Sequence, residues 1–211
     1  LKCPPTDFNA TLDRLSEKPY SFPIGWSIDG LQDASFVGDV NHIALTGQSD
    51  SGKDNAALGI LLGLAAYHTP EQVQFALIDG KGLDWIDFEG KAHTWLLAAQ
   101  AEDIAGAMDK LTAERKRRYE ILRKAKVLKW DQYQGCDLPL LVVFVSELSL
   151  LEGAVGKKSE LTDWLNAELT SARAFGIRYI IAAQTMSNFD TRWLALHSRS
   201  EEHTSELQSQ R

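Results

Sequence analysis

Gly47-Gln48-Ser49-Asp50-Ser51-Gly52-Lys53-Asp54 sets two glycines and a lysine at the G-x-x-x-x-G-K spacing. The apolar run Ile43-Ala44-Leu45 precedes it and Ala56 to Ala66 follows. Strand, glycine-rich turn and helix in that order form a cradle for phosphate: the glycines let consecutive N–H groups face one anion, and the helix start adds partial positive charge. Lys53 would reach the β- and γ-phosphates of a nucleotide. The pattern ordinarily closes on Ser or Thr, whose hydroxyl is a neutral ligand for Mg²⁺. Here Asp54 takes that place, so the expected ligand is ATP on residues 47–54 with an altered metal position.

Hydrolysis needs more than a cradle. A second apolar strand should end in acids, one holding Mg²⁺ through water and one orienting the attacking water. Leu140-Leu141-Val142-Val143-Phe144-Val145 is such a strand and runs into Ser146-Glu147. Ser146 stands at the magnesium side, where Asp is usual, and Glu147 stands where the water-activating carboxylate belongs. A third strand, Ile177 to Ala182, leads to Ala183-Gln184, and Gln184 there could sense the γ-phosphate or the water. A lone Glu or Gln at a strand end is ordinarily just solvated. Three such ends together carry the reading.

These ends must be brought to one edge, and the pattern of elements does so. Val73-Gln74-Phe75-Ala76-Leu77-Ile78 reads as another buried strand, entered from a turn at Thr69-Pro70-Glu71 and ending at Asp79-Gly80-Lys81-Gly82. Long helices are predicted over Glu102–Lys126, with Ile104, Ala105, Met108 and Leu111 on one face, and over about Ser159–Ala174. Pro23, Gly25, Asp29-Gly30 and Gly38-Asp39 punctuate a small hairpin or meander over 20–41. Strands alternating with helices predict a doubly wound, mostly parallel α/β sheet with helices on both faces, binding its ligand at the carboxyl edge.

With these residues in view the chain resembles the motor domain of the FtsK/SpoIIIE family of DNA translocases, over about residues 20–198. Besides the P-loop, Leu77-Ile78-Asp79-Gly80-Lys81 is similar to the family's Ile-Asp-Pro-Lys run, and Phe88-Glu89-Gly90 follows it. Arg117-Arg118-Tyr119 is similar to a Glu-Arg-Arg-Tyr helix, and Val155-Gly156-Lys157-Lys158 to a Gly-Lys-Lys. Ala172-Arg173-Ala174-Phe175-Gly176-Ile177 and Ala183-Gln184 are similar to Ala-Arg-Ala-x-Gly-Ile and the Ala-Thr-Gln after it; Thr191-Arg192 is a weaker match to a later Thr-Arg strand. The resemblance implies a RecA-like domain assembled as a homo-oligomeric ring, usually hexameric, that moves double-stranded DNA in chromosome or plasmid transport at the expense of ATP and Mg²⁺. It implies a cytoplasmic location, often tethered to the inner membrane through another segment. Arg173 matches the residue that reaches into the neighbouring subunit's site as an arginine finger.

Three departures fall on phosphate and metal: Asp50 for a loop glycine, Asp54 for Ser/Thr, Ser146 for Asp. A carboxylate beside polyphosphate is repulsive unless Mg²⁺ lies between them. Asp54 and Ser146 exchanging metal roles, a degenerate site with weak or no hydrolysis, and sequence error are all open readings. The alternative function is a non-catalytic ATPase-like module in a larger translocation or secretion machine. A P-loop kinase or GTPase is disfavoured, since neither a base-specificity motif nor a lid pattern is evident.

Composition bounds these readings. At 211 residues and 44% hydrophobic the chain can bury one substantial core. A net charge of -7 and pI near 5.2 argue against a general nucleic-acid coat. Residues 110–129 depart from this with nine Lys and Arg against two Glu, a DNA-tracking surface or, as we favour, a solvated or inter-subunit face. Cys3 and Cys136 are the only cysteines and point to a reducing compartment. No apolar run approaches the roughly 20 residues of a membrane span. Leu1-Lys2-Cys3-Pro4-Pro5 lacks both Met and signal-peptide character, so the chain reads as an excised fragment with residues 1–19 as an incomplete preceding element. Residues 199–211 resemble a translated sequencing adapter and are set aside, which places a truncation near Ser198.

Overall fold

The computed structural model describes residues 18–48, 50–79, 83–156 and 158–185. Most of the proposed preceding element, Ser49, Gly80-Lys81-Gly82, Lys157, Thr191-Arg192 and the 199–211 tail lie outside the described residues.

Two strands, β1 (Ser21–Ser27) and β2 (Gly30–Ser35), pair antiparallel across Ile28-Asp29, with an irregularity between Pro23 and Gly25. Proline has no N–H for a ladder, so a bulged strand of a two-stranded hairpin is where it belongs. The remaining five strands form one parallel sheet: β3 (Ile43–Thr46), β4 (Val73–Ile78), β5 (Thr94–Ala98), β6 (Leu140–Val145) and β7 (Ile177–Ala183). Their spatial order is β3-β7-β6-β4-β5.

Alternation along the strands separates two cores. Leu141, Val143 and Val145 face one side, where α2 (Ala101–Ala125), α3 (Leu148–Val155) and α4 (Lys158–Ser171) supply Ile104, Leu111, Leu148, Leu151, Leu165 and others. Leu140, Val142 and Phe144 face the other, against Leu61 and Leu64 of α1 (Lys53–Tyr67) and Phe22 and Phe36 of the hairpin region. Covered on both faces, β6 is apolar at every position. Helix α1 lies against both sheet and hairpin, which accounts for its near-continuous apolar sequence. On α2 the buried small residue is Ala107, and Ala105, expected on the core face, is exposed.

Several buried polar groups inside this frame are matched. His42, just before β3, accepts the Tyr179 N–H at Nδ1 (3.0 Å), so its Nε2 carries the proton and donates to the Leu169 carbonyl (3.0 Å). Arg118, 1% exposed, pairs with Glu114 (2.8 Å) and donates to the carbonyls of Pro139, Phe175 and Gly176 (2.8, 3.0 and 3.2 Å). Arg115 donates to the fully buried Glu168 (2.8 Å), which also accepts the Tyr179 hydroxyl (3.0 Å). Burial, and then the neighbouring carboxylate, push the Tyr179 phenol well above its ordinary range. The basic stretch of α2 is therefore partly interior: Arg115 ties the helix to α4 and Arg118 ties it to the segments entering β6 and β7, in place of the solvated face expected of them.

Candidate functional site

Because β3, β6 and β7 run parallel, the residues after them meet at one edge. The Gly47 N–H donates to the Ala183 carbonyl (3.3 Å), tying the loop after β3 to the end of β7 one residue before Gln184. The loop then turns inward, with the Ser51 N–H donating to the Gln48 carbonyl (3.2 Å). A Cβ on Gly47 would lie 3.0 Å from the Ser51 Cβ and closer still to its hydroxyl, so no larger residue fits. Gly52 closes the loop at φ 89° and stands before α1 with no side chain capping it. The first-turn amides are left open to an outside anion.

Asp50 sits at φ 60°, the left-handed region glycine enters freely and aspartate only sometimes. The backbone at this position still has the conformation of a glycine. We expect Asp50→Gly to raise the melting temperature slightly, by relieving about 1 kcal/mol of strain, and to tighten nucleotide binding by removing a carboxylate. Calorimetry of the two chains checks both; looser binding in the variant would mean that Asp50 is itself a ligand.

The Lys53 ammonium donates to the carbonyls of Gly47 and Gln48, the latter at 2.9 Å, using two of its three N–H groups to close over the loop. Ser146 is 5% exposed; its N–H donates to the Ile78 carbonyl (3.0 Å) and its hydroxyl to the Asp79 carbonyl (3.1 Å). The hydroxyl proton is thus committed to the neighbouring strand end, while the oxygen keeps lone pairs for a cation. Glu147 stands immediately before α3 and is half-buried, and Gln184 is exposed just past β7.

These groups share one cleft of about 780 Å³, lined by residues 50–54, Asn55, Ser146, Glu147 and Gln184, a volume suited to a nucleotide-sized ligand. Asp84 also lines it, from the connection between β4 and β5. No local motif marks Asp84, and only the topology brings it here. Gly47 and Gln48 form the back of the loop through their carbonyls, and Ser49 lies outside the described residues. The cleft carries four carboxylates, Asp50, Asp54, Asp84 and Glu147, against Lys53. Its backbone suits a phosphate, and its side-chain charge suits one only with a divalent cation alongside. Among the described residues no group of three or more His, Cys, Asp or Glu converges to hold a metal; a P-loop Mg²⁺ takes one or two protein ligands and completes its shell with phosphate oxygens and water.

Arg173 is elsewhere. It is exposed on the 3₁₀ turn Ala172–Phe175 that precedes β7, at the amino edge of the sheet and away from the cleft. Among the described residues it has no ion pair. Lys110, Lys116, Lys124, Lys126 and Lys129 are exposed, and Tyr119 packs edge-on against Phe175, with centroids 6.0 Å apart. No helix among the described residues is long and apolar enough to cross a membrane.

Comparison with known proteins agrees with this fold. DNA translocase FtsK of Lactiplantibacillus plantarum is 30% identical over 184 residues, covering 81% of this chain and 23% of that protein. FtsK of Streptococcus pneumoniae is 27% identical over 186 residues, covering 82% and 24%. The chain thus spans about a quarter of the length of these curated relatives. Among solved structures, Thermomonospora curvata EccC (ATPases 2 and 3) in complex with a signal sequence peptide has a TM-score of 0.74 at 18% identity, covering 92% of this chain and 40% of that one. The pCW3 conjugation coupling protein TcpA, in its monomer form with ATPgS, has a TM-score of 0.65 at 18% identity, covering 92% and 60%. These likenesses speak for the fold, a RecA-like P-loop ATPase fold. The profile of the FtsK/SpoIIIE family matches residues 18–139, more than half of the sequence, and the chain belongs to that family.

Proposed function

We propose that the chain is the ATP-binding motor domain of a double-stranded DNA translocase in which hydrolysis is weakened by carboxylates around the phosphates. The observation that supports this most is the single cleft shared by the P-loop, Ser146, Glu147 and Gln184. In this reading the amides of residues 47–53 and the Lys53 ammonium hold phosphate, with Lys53 leaving the loop carbonyls as it does so. Asp54 and Ser146 would hold Mg²⁺, the first by a carboxylate oxygen and the second by a hydroxyl lone pair. Glu147 orients and deprotonates water, and Gln184 hydrogen-bonds the terminal phosphate or that water. Bound ATP supplies the phosphoanhydride whose cleavage drives movement.

Arg173, exposed at the opposite edge, would act on the nucleotide of a neighbouring copy, as a hexameric ring around DNA requires. The domain would work in the cytoplasm, tethered to the membrane through a segment outside this chain. A second reading, a non-catalytic module in a translocation or secretion machine, is favoured by one observation: four carboxylates surround a lysine already bonded to its own loop.

Titration calorimetry with ATP and Mg²⁺, beside DNA-stimulated phosphate release, separates the two. For the motor, Lys53→Ala weakens ATP binding by about tenfold or more, while Glu147→Gln keeps affinity within about twofold and lowers turnover by about a hundredfold. ATP binding with no DNA-stimulated release in the parent chain selects the non-catalytic module. Absence of any ATP binding overturns the motor and leaves the non-catalytic module.

A further inference from the structure

A recess of about 250 Å³ opens at the amino edge of the sheet, behind the hairpin and remote from the nucleotide cleft. Arg178, Arg173, Lys129, Asp131, Trp130 and Gly38 line it. Arg178 lies on β7 and is 5% exposed. Its Nε and Nη2 donate to the Phe36 carbonyl (3.2 and 3.0 Å), and its Nη1 donates to the carbonyls of Arg173 and Ile177 (2.9 and 3.2 Å). All of these acceptors are neutral. Buried Arg118 has Glu114, and half-buried Arg115 has Glu168; among the described residues Arg178 has no carboxylate within ion-pair distance.

Taking a guanidinium out of water without an anion beside it is costly, which is why buried arginines are found paired. The surroundings increase the imbalance. Arg173 and Lys129 are both exposed at the recess, and Asp131 is the one acid lining it among the described residues, whose lining carries a net charge of two positives. Desolvation, and then the like charge of Arg173, pull the Arg178 pKa down to about 10, which still leaves it charged at neutral pH.

We propose that this recess is an oxyanion site that takes one phosphate group between the buried guanidinium of Arg178 and the exposed cations of Arg173 and Lys129. One N–H of Arg178 Nη2 is not used by Phe36, and the charge is already in place. The volume falls below that of pockets that enclose whole nucleotides, so the ligand is a free phosphate or the terminal phosphate of a larger molecule. Phosphates inside a duplex are a poorer fit, because they lie on a convex backbone and are met by surface cations, whereas Arg178 lies deep. The recess is remote from this chain's own nucleotide cleft, so binding of the free ion stands or falls independently of that cleft, whereas a neighbour's terminal phosphate in it rests on the ring reading above.

The test is calorimetric titration of inorganic phosphate, with chloride at matched ionic strength as reference, into the Lys53→Ala chain, in which the P-loop ammonium is gone. Saturable one-to-one binding is expected there, weakened at least tenfold when Arg173→Gln and Lys129→Gln are added. Both of those residues are exposed and leave the Arg178 bonds to Phe36 intact, so folding is preserved where Arg178→Gln would endanger it. No saturable binding, or equal affinity with and without the two substitutions, overturns the proposal.

Competition identifies the source. Displacement of phosphate by nucleotide-loaded parent chain means that the recess takes a neighbour's terminal phosphate, and retention means that it takes the free ion. Stoichiometric displacement by a short blunt duplex without terminal phosphates would hand the recess to the DNA backbone and overturn the assignment.

Discussion

Asp54→Thr combined with Ser146→Asp is expected to raise DNA-stimulated ATP turnover at least about tenfold over the parent chain. Asp54 lies in the first turn of α1, where its charge favours the helix but opposes a polyphosphate on the same amides. Two unit charges about 5 Å apart repel by about 1–3 kcal/mol at effective dielectrics between bulk water and a protein surface. Asp54 is exposed, so the lower part of that range applies, about tenfold in affinity. Threonine at 54 adds a neutral ligand for Mg²⁺, and aspartate at 146 restores a carboxylate behind it. The single changes should be unequal. Ser146 donates to the Asp79 carbonyl, and an ionised aspartate cannot, so Ser146→Asp alone should lower stability by about 1–2 kcal/mol while Mg²⁺ is absent. Steady-state phosphate release with duplex DNA, across the parent, both singles and the double, measures this. A double variant no faster than the parent would show that the carboxylates are not what limits hydrolysis.

The largest loss of stability is expected from Glu114→Ala. The change leaves Arg118, 1% exposed, without its carboxylate, and removing one partner of a buried pair costs about 3 kcal/mol or more. For a domain of this size that is a fall of about 6–12 °C in melting temperature. Burial pushes the Glu114 carboxyl up, but hydrogen bonds and charge from Arg117 and Arg118 outweigh it and hold it below 4.5. A carboxyl whose pKa is depressed on folding stabilises above its unfolded value and loses that contribution as pH falls through its folded value. The gap between parent and variant should therefore be full at neutral pH and narrow below about pH 4.5. Glu120→Ala is the control: its pair with Arg123 is 47% and 62% exposed and is worth under about 1 kcal/mol. A Glu114→Ala loss as small as the control's would mean that the three carbonyls suffice for Arg118.

The parts of this molecule legible in its sequence are those where a local pattern decides the structure. The P-loop, the apolar runs of β4, β6 and β7 and the Pro/Gly-punctuated hairpin each carry their own signal, and residues 50–54 meet Glu147 and Gln184 because parallel strands end together. Elements without such a signal went unread. Thr94–Ala98 becomes β5 through its pairing with β4 alone, as a half-buried edge strand. Leu148–Val155, two turns of helix containing a glycine, has too little period to separate from a loop. The basic run 110–129 shows the limit most clearly: Arg115 and Arg118 are drawn inward while Arg117, bonded to the same Glu114 as Arg118, stays exposed, and pairings across 53 residues leave no trace in composition. Asp84 joins the cleft, and Arg178 is drawn to the Phe36 carbonyl just past the hairpin, for the same reason.

The sheet order also fixes when this site can exist. Among the described residues the strand before the P-loop has a single neighbour in the sheet, β7, and the loop's first amide is tied to the Ala183 carbonyl. On a ribosome the cradle sequence emerges before its pairing partner, which is more than 130 residues further along. Until then β4, β5 and β6 can form a three-stranded parallel core with α2, leaving β3 and α1 without a flank. A nascent chain stalled short of β7 should accordingly resist proteolysis over the middle strands and remain cleavable at the loop, and the capacity to hold a nucleotide should appear in one step, with synthesis of β7.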